Sequence, residues 1–115
     1  MEDKKIKVSI GMPAYNEEAN IGLSLESLLN QDYTDFELII MDNASEDRTG
    51  DICRGYAEKD ERIQYFCNEE NIGAIGNFSR ALEKSIGEYF LTAAAHDLWS
   101  PNYLSECVKL LDGNP

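Results

Sequence analysis

No stretch of this 115-residue chain approaches the ~18 to 20 consecutive apolar residues that a membrane-spanning helix requires. Positive charge is scarce: 10 Lys and Arg stand against 22 Asp and Glu, a net charge of -12. Such a surface repels nucleic acid and anionic lipid, and no Lys/Arg cluster makes a local exception. A ligand carrying phosphates would therefore need a cation or aimed backbone N–H groups to approach. Histidine occurs once, at His96, and Cys53, Cys67 and Cys107 lack C-x-x-C spacing. Zinc is not expected from these residues, and the thiols are expected to be buried and reduced, as in cytoplasm. The opening Met1-Glu2-Asp3-Lys4-Lys5 holds no signal-peptide apolar region, which fits a soluble chain. The first strand is followed by neither G-x-G-x-x-G nor a Walker lysine, which argues against a dehydrogenase or a P-loop phosphotransferase. A receiver-type phosphoacceptor domain would want a lysine after a late strand, and the fourth strand has none.

What is present is a regular alternation of apolar runs and amphipathic stretches, with 43% hydrophobic residues, enough for one folded domain. Strands are expected at Lys7 to Met12, Phe36 to Met41, Arg62 to Cys67 and Glu88 to Ala93. Between them, spacings near three and four predict helices with buried faces. These faces are Ile21, Leu25, Leu28 and Leu29; then Thr49, Ile52, Cys53 and Tyr56; then Ile75, Phe78, Leu82 and Ile86. Tyr103, Leu104, Cys107, Val108 and Leu111 form a last helix, stopped by Asp112-Gly113-Asn114-Pro115. Ser45 before Glu46-Asp47 and Ser100 before Pro101 read as helix caps. Four β-α units in sequence predict an α/β fold: an open, mostly parallel sheet with helices on both faces. Two polar loops follow the first two strands, Pro13-Ala14-Tyr15-Asn16-Glu17-Glu18 and Asp42-Asn43-Ala44-Ser45-Glu46-Asp47. In such a sheet they converge on one crevice at the carboxyl edge, where ligands bind.

Several linked segments carry a more specific message. Val8-Ser9-Ile10-Gly11-Met12-Pro13-Ala14-Tyr15-Asn16-Glu17 is followed by Leu25-Glu26-Ser27-Leu28-Leu29-Asn30-Gln31-Asp32-Tyr33-Thr34-Asp35-Phe36-Glu37. Next come Asp42-Asn43-Ala44-Ser45-Glu46-Asp47-Arg48-Thr49, Asn68-Glu69-Glu70-Asn71-Ile72-Gly73, Gly87-Glu88-Tyr89 and Leu98-Trp99-Ser100-Pro101. In this order they resemble the amino-terminal, donor-binding half of glycosyltransferase family 2, whose fold is the Rossmann-like GT-A fold. The resemblance implies inverting transfer of a sugar from a nucleotide-sugar donor, most often a UDP-sugar, to an acceptor that the sequence does not identify. It also implies that Pro13, Tyr15 and Glu17 line the nucleotide pocket, with Tyr15 flanking the base. Asp42 or Asn43 would hydrogen-bond the base edge, and Asn71 and Gly73 are further binding candidates. Each has a plain structural alternative: Tyr15 packing over a strand end, Asn43 as a turn residue, Asn71 and Gly73 as a loop leading into a helix.

The fourth loop departs from the family. Members carry an acidic cluster there that holds Mn²⁺ or Mg²⁺ against the diphosphate, since hard cations prefer oxygen ligands. Here that stretch reads Ala94-Ala95-His96-Asp97, so only Asp97 survives as a metal ligand, with His96 as a substitute. Otherwise His96 is a loop residue and Asp97 a turn cap. Arg48 and Arg80 are the other candidates for neutralising a diphosphate. On this reading residues 1–115 form one donor-binding domain, truncated before the acceptor-binding half and its catalytic base. The lost half would expose a sheet edge or an apolar face and favour a homo-oligomer. The alternative function is a nucleotide-binding module without turnover.

Overall fold

The computed structural model describes residues 5–113. Residues 1–4 and 114–115 lie outside it, and with them the opening tetrapeptide and the end of the expected stop signal. Strands and helices alternate as β1 (Val8–Ala14), α1 (Ile21–Leu29), β2 (Phe36–Asp42), α2 (Thr49–Lys59), β3 (Ile63–Cys67), α3 (Ala74–Lys84), β4 (Tyr89–Thr92) and α4 (Tyr103–Gly113). The four strands form one sheet in the order β3-β2-β1-β4, every pair parallel. β1 pairs with β2 from Val8↔Phe36 to Ala14↔Asp42, and with β4 from Val8↔Tyr89 to Gly11↔Thr92. The chain thus steps outward from β1 to β3 and then returns to the other side of β1. That reversal makes the carboxyl end of β1 a topological switch point, the place where open α/β sheets bind ligands.

Alternation along the strands gives the sheet two different faces. On one, Val8, Ile10, Met12, Leu38 and Ile40 are at most 1% exposed and pack against Ile21, Leu25 and Leu28 of α1, Cys53 of α2, and Leu104 and Val108 of α4. Burying each of these large side chains contributes up to about 1.5–3 kcal/mol, so tertiary packing holds the nine-residue α1 in place. On the other face Ser9, Gly11, Glu37, Ile39 and Met41 meet α3, which contributes Asn77 and Ala81. Gly11 allows this close approach: a Cβ there would lie 2.7 Å from the Phe90 ring and 3.3 Å from Ala81 Cβ.

The polar part of that second face is a fixed network. The buried Glu37 carboxyl accepts from Ser9 Oγ (2.5 Å), Gln64 Nε2 (2.7 Å) and Ile86 N (2.9 Å). Ser9 Oγ in turn accepts from Gly87 N at 2.7 Å, pinning the turn between α3 and β4 under the sheet. A Cβ at Gly87 would stand 2.6 Å from Ser9 N, so this position needs glycine for space.

Three expectations are corrected. The stripe Ile75, Phe78, Leu82 and Ile86 does not face the sheet: it is 84%, 37%, 46% and 65% exposed. The sheet beneath α3 offers Ser9, Gly11 and Glu37, and helix α3 turns its small and amide side chains toward them instead. Cys67 is exposed rather than buried, because it closes the edge strand β3; Cys53 is buried and Cys107 half-buried. The caps also shift. Ser45 N and Oγ bind Asp42 Oδ1, while Asp47 Oδ1 accepts from Thr49 N and Oγ at the start of α2. Helix α4 begins at Tyr103, two residues after Pro101.

Candidate functional site

The first two polar loops are stitched together beyond the carboxyl ends of β1 and β2. Ser45 Oγ accepts from Asn16 N (2.9 Å), and Asn16 Oδ1 accepts from Glu46 N (2.8 Å). Thr49 Oγ1 accepts from Glu17 N (2.8 Å), and Asp47 Oδ2 from Glu18 N (3.2 Å). The Asp47 carboxyl is held below its ordinary value: burial pushes it up, but the Thr49 hydroxyl and the Thr49 and Glu18 N–H groups outweigh that. Asn16 and Ala44 reach this arrangement with φ of 50° and 62°, a left-handed backbone that asparagine tolerates and alanine does not favour. These loop side chains are therefore engaged with one another, and what they build is a rigid rim.

Inside the rim lies a crevice of about 280 Å³ lined by Pro13, Ala14, Tyr15, Glu17, Asn43, Asn71, Ala74 and Asn77. It adjoins a second cavity of about 320 Å³ at the switch point, lined by Pro13, Glu17, Phe78, Thr92, His96 and Ala93 to Ala95. Pro13 and Glu17 belong to both. Neither Arg48 nor Arg80 lines either cavity. A groove of about 410 Å³ between α1 and α2 is larger, but it lies on the opposite flank from the strand ends.

Five of the expected nucleotide residues thus share one crevice: Pro13, Tyr15, Glu17, Asn43 and Asn71. Tyr15 is 43% exposed, its ring free to lie along a flat ligand. Asp42 takes no part in the lining. Its carboxyl belongs to the α1/α2 side of the sheet, where Oδ2 accepts from Tyr65 OH (2.6 Å) and Oδ1 holds Ser45. Burial, followed by the bond to Asp42, pushes the Tyr65 hydroxyl upward, so it stays a donor.

Asn43 is buried with both ends of its amide engaged. Nδ2 donates to Asn71 Oδ1 (2.9 Å) and Gly73 O (3.3 Å), and Oδ1 accepts from Ile72 N (2.9 Å) and Asn68 Nδ2 (3.0 Å). Two donors and two acceptor sites are the full capacity of an amide. Asn43 accordingly builds the wall of the crevice and has nothing left for a base edge. Asn71 differs: its Oδ1 takes Asn43 and Gly73 N (2.8 Å), which leaves Nδ2 as a donor on an exposed residue lining the crevice. Gly73 shapes the wall with φ of 85°, a conformation that disfavours any side chain.

The fourth loop is fastened to α1. Gln31 Nε2 donates to Ser100 O (2.6 Å) and Ser27 O (3.1 Å), Gln31 Oε1 accepts from Leu104 N (2.9 Å), and Ser24 Oγ donates to Asp97 O (2.7 Å). His96 Nδ1 lies 2.7 Å from Glu17 Oε2, a bridge between the first and fourth loops. The hydrogen bond to Glu17, then its charge, holds the imidazole above its ordinary value. Asp97 is exposed and lines neither cavity. Among the described residues no three of His, Cys, Asp and Glu come together to hold a metal ion. A hard cation needs several oxygen ligands, and Glu17 Oε2 is already engaged by His96. These residues by themselves do not fit Mn²⁺ or Mg²⁺.

Sequence reasoning missed Asn68, Asn77 and Phe78. Asn77 and Phe78 both face the cavities, and Asn68 lies buried behind Asn43. A readable signal existed for two of them, since an asparagine follows β2 and β3 almost immediately and another opens α3.

The geometry has close counterparts. Residues 9–115 match the family described as Glycosyl transferase family 2. The putative teichuronic acid biosynthesis glycosyltransferase TuaG of Bacillus subtilis (strain 168) is 34% identical over 111 residues, which cover 96% of this chain and 44% of TuaG. Among solved structures, S. aureus TarS 1-349 in complex with UDP-GlcNAc superposes with a TM-score of 0.87 at 29% identity, covering 94% of this chain and 32% of TarS. The mannosyltransferase PcManGT from Pyrobaculum calidifontis, in complex with GDP-Man and Mn²⁺, gives 0.86 at 28% identity, covering 94% of this chain and 33% of that one. The chain thus spans less than half the length of the curated relatives and solved structures it matches.

Proposed function

Because the chain belongs to glycosyl transferase family 2 and has its GT-A fold, we propose that its crevice binds the nucleotide of a sugar donor whose sugar passes to an acceptor hydroxyl. The observation that carries this reading is the convergence of Tyr15, Asn71 and Glu17 in one crevice at the sheet's switch point. The Tyr15 ring flanks the base, and Asn71 Nδ2 donates to a carbonyl oxygen on its edge. Asn43 and Gly73 act behind Asn71 as the wall, and Asp42 fixes the turn that carries Asn43.

A UDP-sugar is the proposed donor, supported by the UDP and UDP-GlcNAc complexes of the similar TarS. An edge read by a fixed donor discriminates well, because a wrong base leaves that group unpaired. The adjoining cavity then receives the diphosphate and sugar, with His96 in its lining, set in place by Glu17. Transfer with inversion is a single displacement: a base takes the acceptor's proton while the anomeric carbon exchanges one oxygen for another. The base and acceptor site are assigned to the part of the relatives that this chain does not match. No step is routed through a divalent cation, because the residues present do not fit one. The free thiols support a cytoplasmic setting.

The depleted fourth loop favours a second reading, a module that holds the nucleotide without turnover. Calorimetric titration with UDP, GDP and ADP, with and without Mn²⁺, tests the first claim. UDP is expected to bind most tightly; a folded sample that binds no nucleoside diphosphate would refute it. Release of UDP from UDP-sugars in the presence of candidate acceptors separates the two readings.

A further inference from the structure

Behind the crevice runs a chain of amides whose donors point outward in both directions from Asn68. It starts at a backbone carbonyl, Met41 O, which accepts from Asn77 Nδ2 at 2.8 Å. Asn77 Oδ1 accepts from Asn68 Nδ2 (2.8 Å), and the same nitrogen donates to Asn43 Oδ1 (3.0 Å). Asn43 then reaches Asn71 Oδ1 and Gly73 O, while Ile72 N donates back to it. Backbone groups fix the amide orientation at both ends: Met41 O can face only the NH₂ of Asn77, and Ile72 N only the carbonyl of Asn43. Between them Asn68 must present its NH₂ to both neighbours.

We propose that Asn68 and Asn77 are positioning residues for the nucleoside, acting through Asn43 on the Asn71–Gly73 wall of the crevice. The inference rests on the crevice being a nucleotide site. Asn68 is not itself offered to a ligand, being 5% exposed with both N–H donors engaged, whereas Asn77, 2% exposed, lines the crevice and gives one N–H to Met41 O and its Oδ1 to Asn68. The wall is closed locally by Gly73 N on Asn71 Oδ1 and by Asn77 N on Gly73 O, with Gly73 in a left-handed backbone before the first turn of α3. The Asn43 amide, whose plane is set by Asn68, also holds it. The arrangement also carries a penalty, since Asn68 Oδ1 is buried with no partner among the described residues. Stability alone disfavours such a group, and sites that keep one tend to be functional.

Calorimetric titration of uridine and UDP tests the relay in the unaltered protein, Asn68→Ala, Asn43→Ala and the double variant, each shown to be folded by circular dichroism. Asn68→Ala is expected to weaken uridine and UDP equally, by roughly 3- to 10-fold. In the Asn43→Ala background the same change is expected to have no further effect, because its route to the wall is already cut. A general loosening of the fold would not produce that coupling. Unchanged affinity in Asn68→Ala, or losses that multiply in the double variant, would overturn the proposal. Should Asn68→Ala fail to fold, Asn68→Ser, which keeps one donor, carries the same comparison. If the unaltered protein binds no nucleotide, the site reading falls and takes this inference with it. Normal binding with inert variants sinks the relay alone.

Discussion

Replacing Asn68 by aspartate changes almost no volume and reverses the hydrogen-bond polarity at the hub of the amide relay. Two donors disappear: those reaching Asn43 Oδ1 at 3.0 Å and Asn77 Oδ1 at 2.8 Å. Both acceptors belong to residues at most 4% exposed, so water does not readily replace the lost partner. Asn43 Oδ1 keeps the bond from Ile72 N, but Asn77 Oδ1 is left unsatisfied at a cost of about 1–3 kcal/mol, and repulsion between the new carboxylate and the two carbonyl oxygens adds to it. Asn68→Ala loses the same donors but also removes the unpartnered Oδ1, so its cost is lower. Urea unfolding followed by Trp99 fluorescence and circular dichroism measures both. With a slope of about 1–3 kcal/mol per molar, the midpoint of Asn68→Asp is expected to fall by about 1 M. A loss below about 1 kcal/mol, or alanine proving worse than aspartate, would refute the assignment of the relay's direction.

His96 is the chain's single histidine, so its ring proton can be followed alone by NMR. Its titration midpoint should lie above the ordinary 6.5 and move down toward that value in Glu17→Gln. A raised histidine stabilises when charged: the Glu17 bridge is at full strength below pH 6.5 and fades as pH rises through the shifted midpoint. An unmoved midpoint in Glu17→Gln would show that the bridge does not form. At Ala44 the left-handed backbone costs an alanine about 1–2 kcal/mol, and glycine recovers this less about 0.5–1 kcal/mol of chain entropy. Ala44→Gly should therefore raise stability by about 0.5–1 kcal/mol in calorimetric melting, and a lower melting temperature would contradict the strain.

Local pattern carried the strands, because burial of β1 and β2 on both faces of a parallel sheet leaves long apolar runs, and the observed limits of all four strands differ by no more than two residues from those expected. It carried α1 and α2 as well. In α3 the stripe at Ile75, Phe78 and Leu82 is real, but periodicity reports only that a stripe exists. Which side of the helix meets the sheet was decided by Ser9, Gly11 and Glu37, residues more than 35 positions away in the chain. The site divided in the same way. Pro13, Tyr15, Glu17 and Asn71, named from the family resemblance, do line one crevice. The engagement of Asn43 by Asn68, and of Asp42 by Tyr65, depends on side-chain contacts 23 to 25 residues apart, which no local pattern encodes. The replacement of acids by Ala94 and His96 was visible, whereas the Glu17 bridge that engages His96 was not.

The stitching of the first two loops bears on how such a site could be altered. Asn16 reads the backbone of the second loop while Ser45, Asp47 and Thr49 read that of the first, so neither loop keeps its shape without the other. Transplanting one of them into a related scaffold would carry half of a zip. The unit that could be exchanged, by design or by recombination, is the pair together with β1 before them and the α1–β2 segment between them.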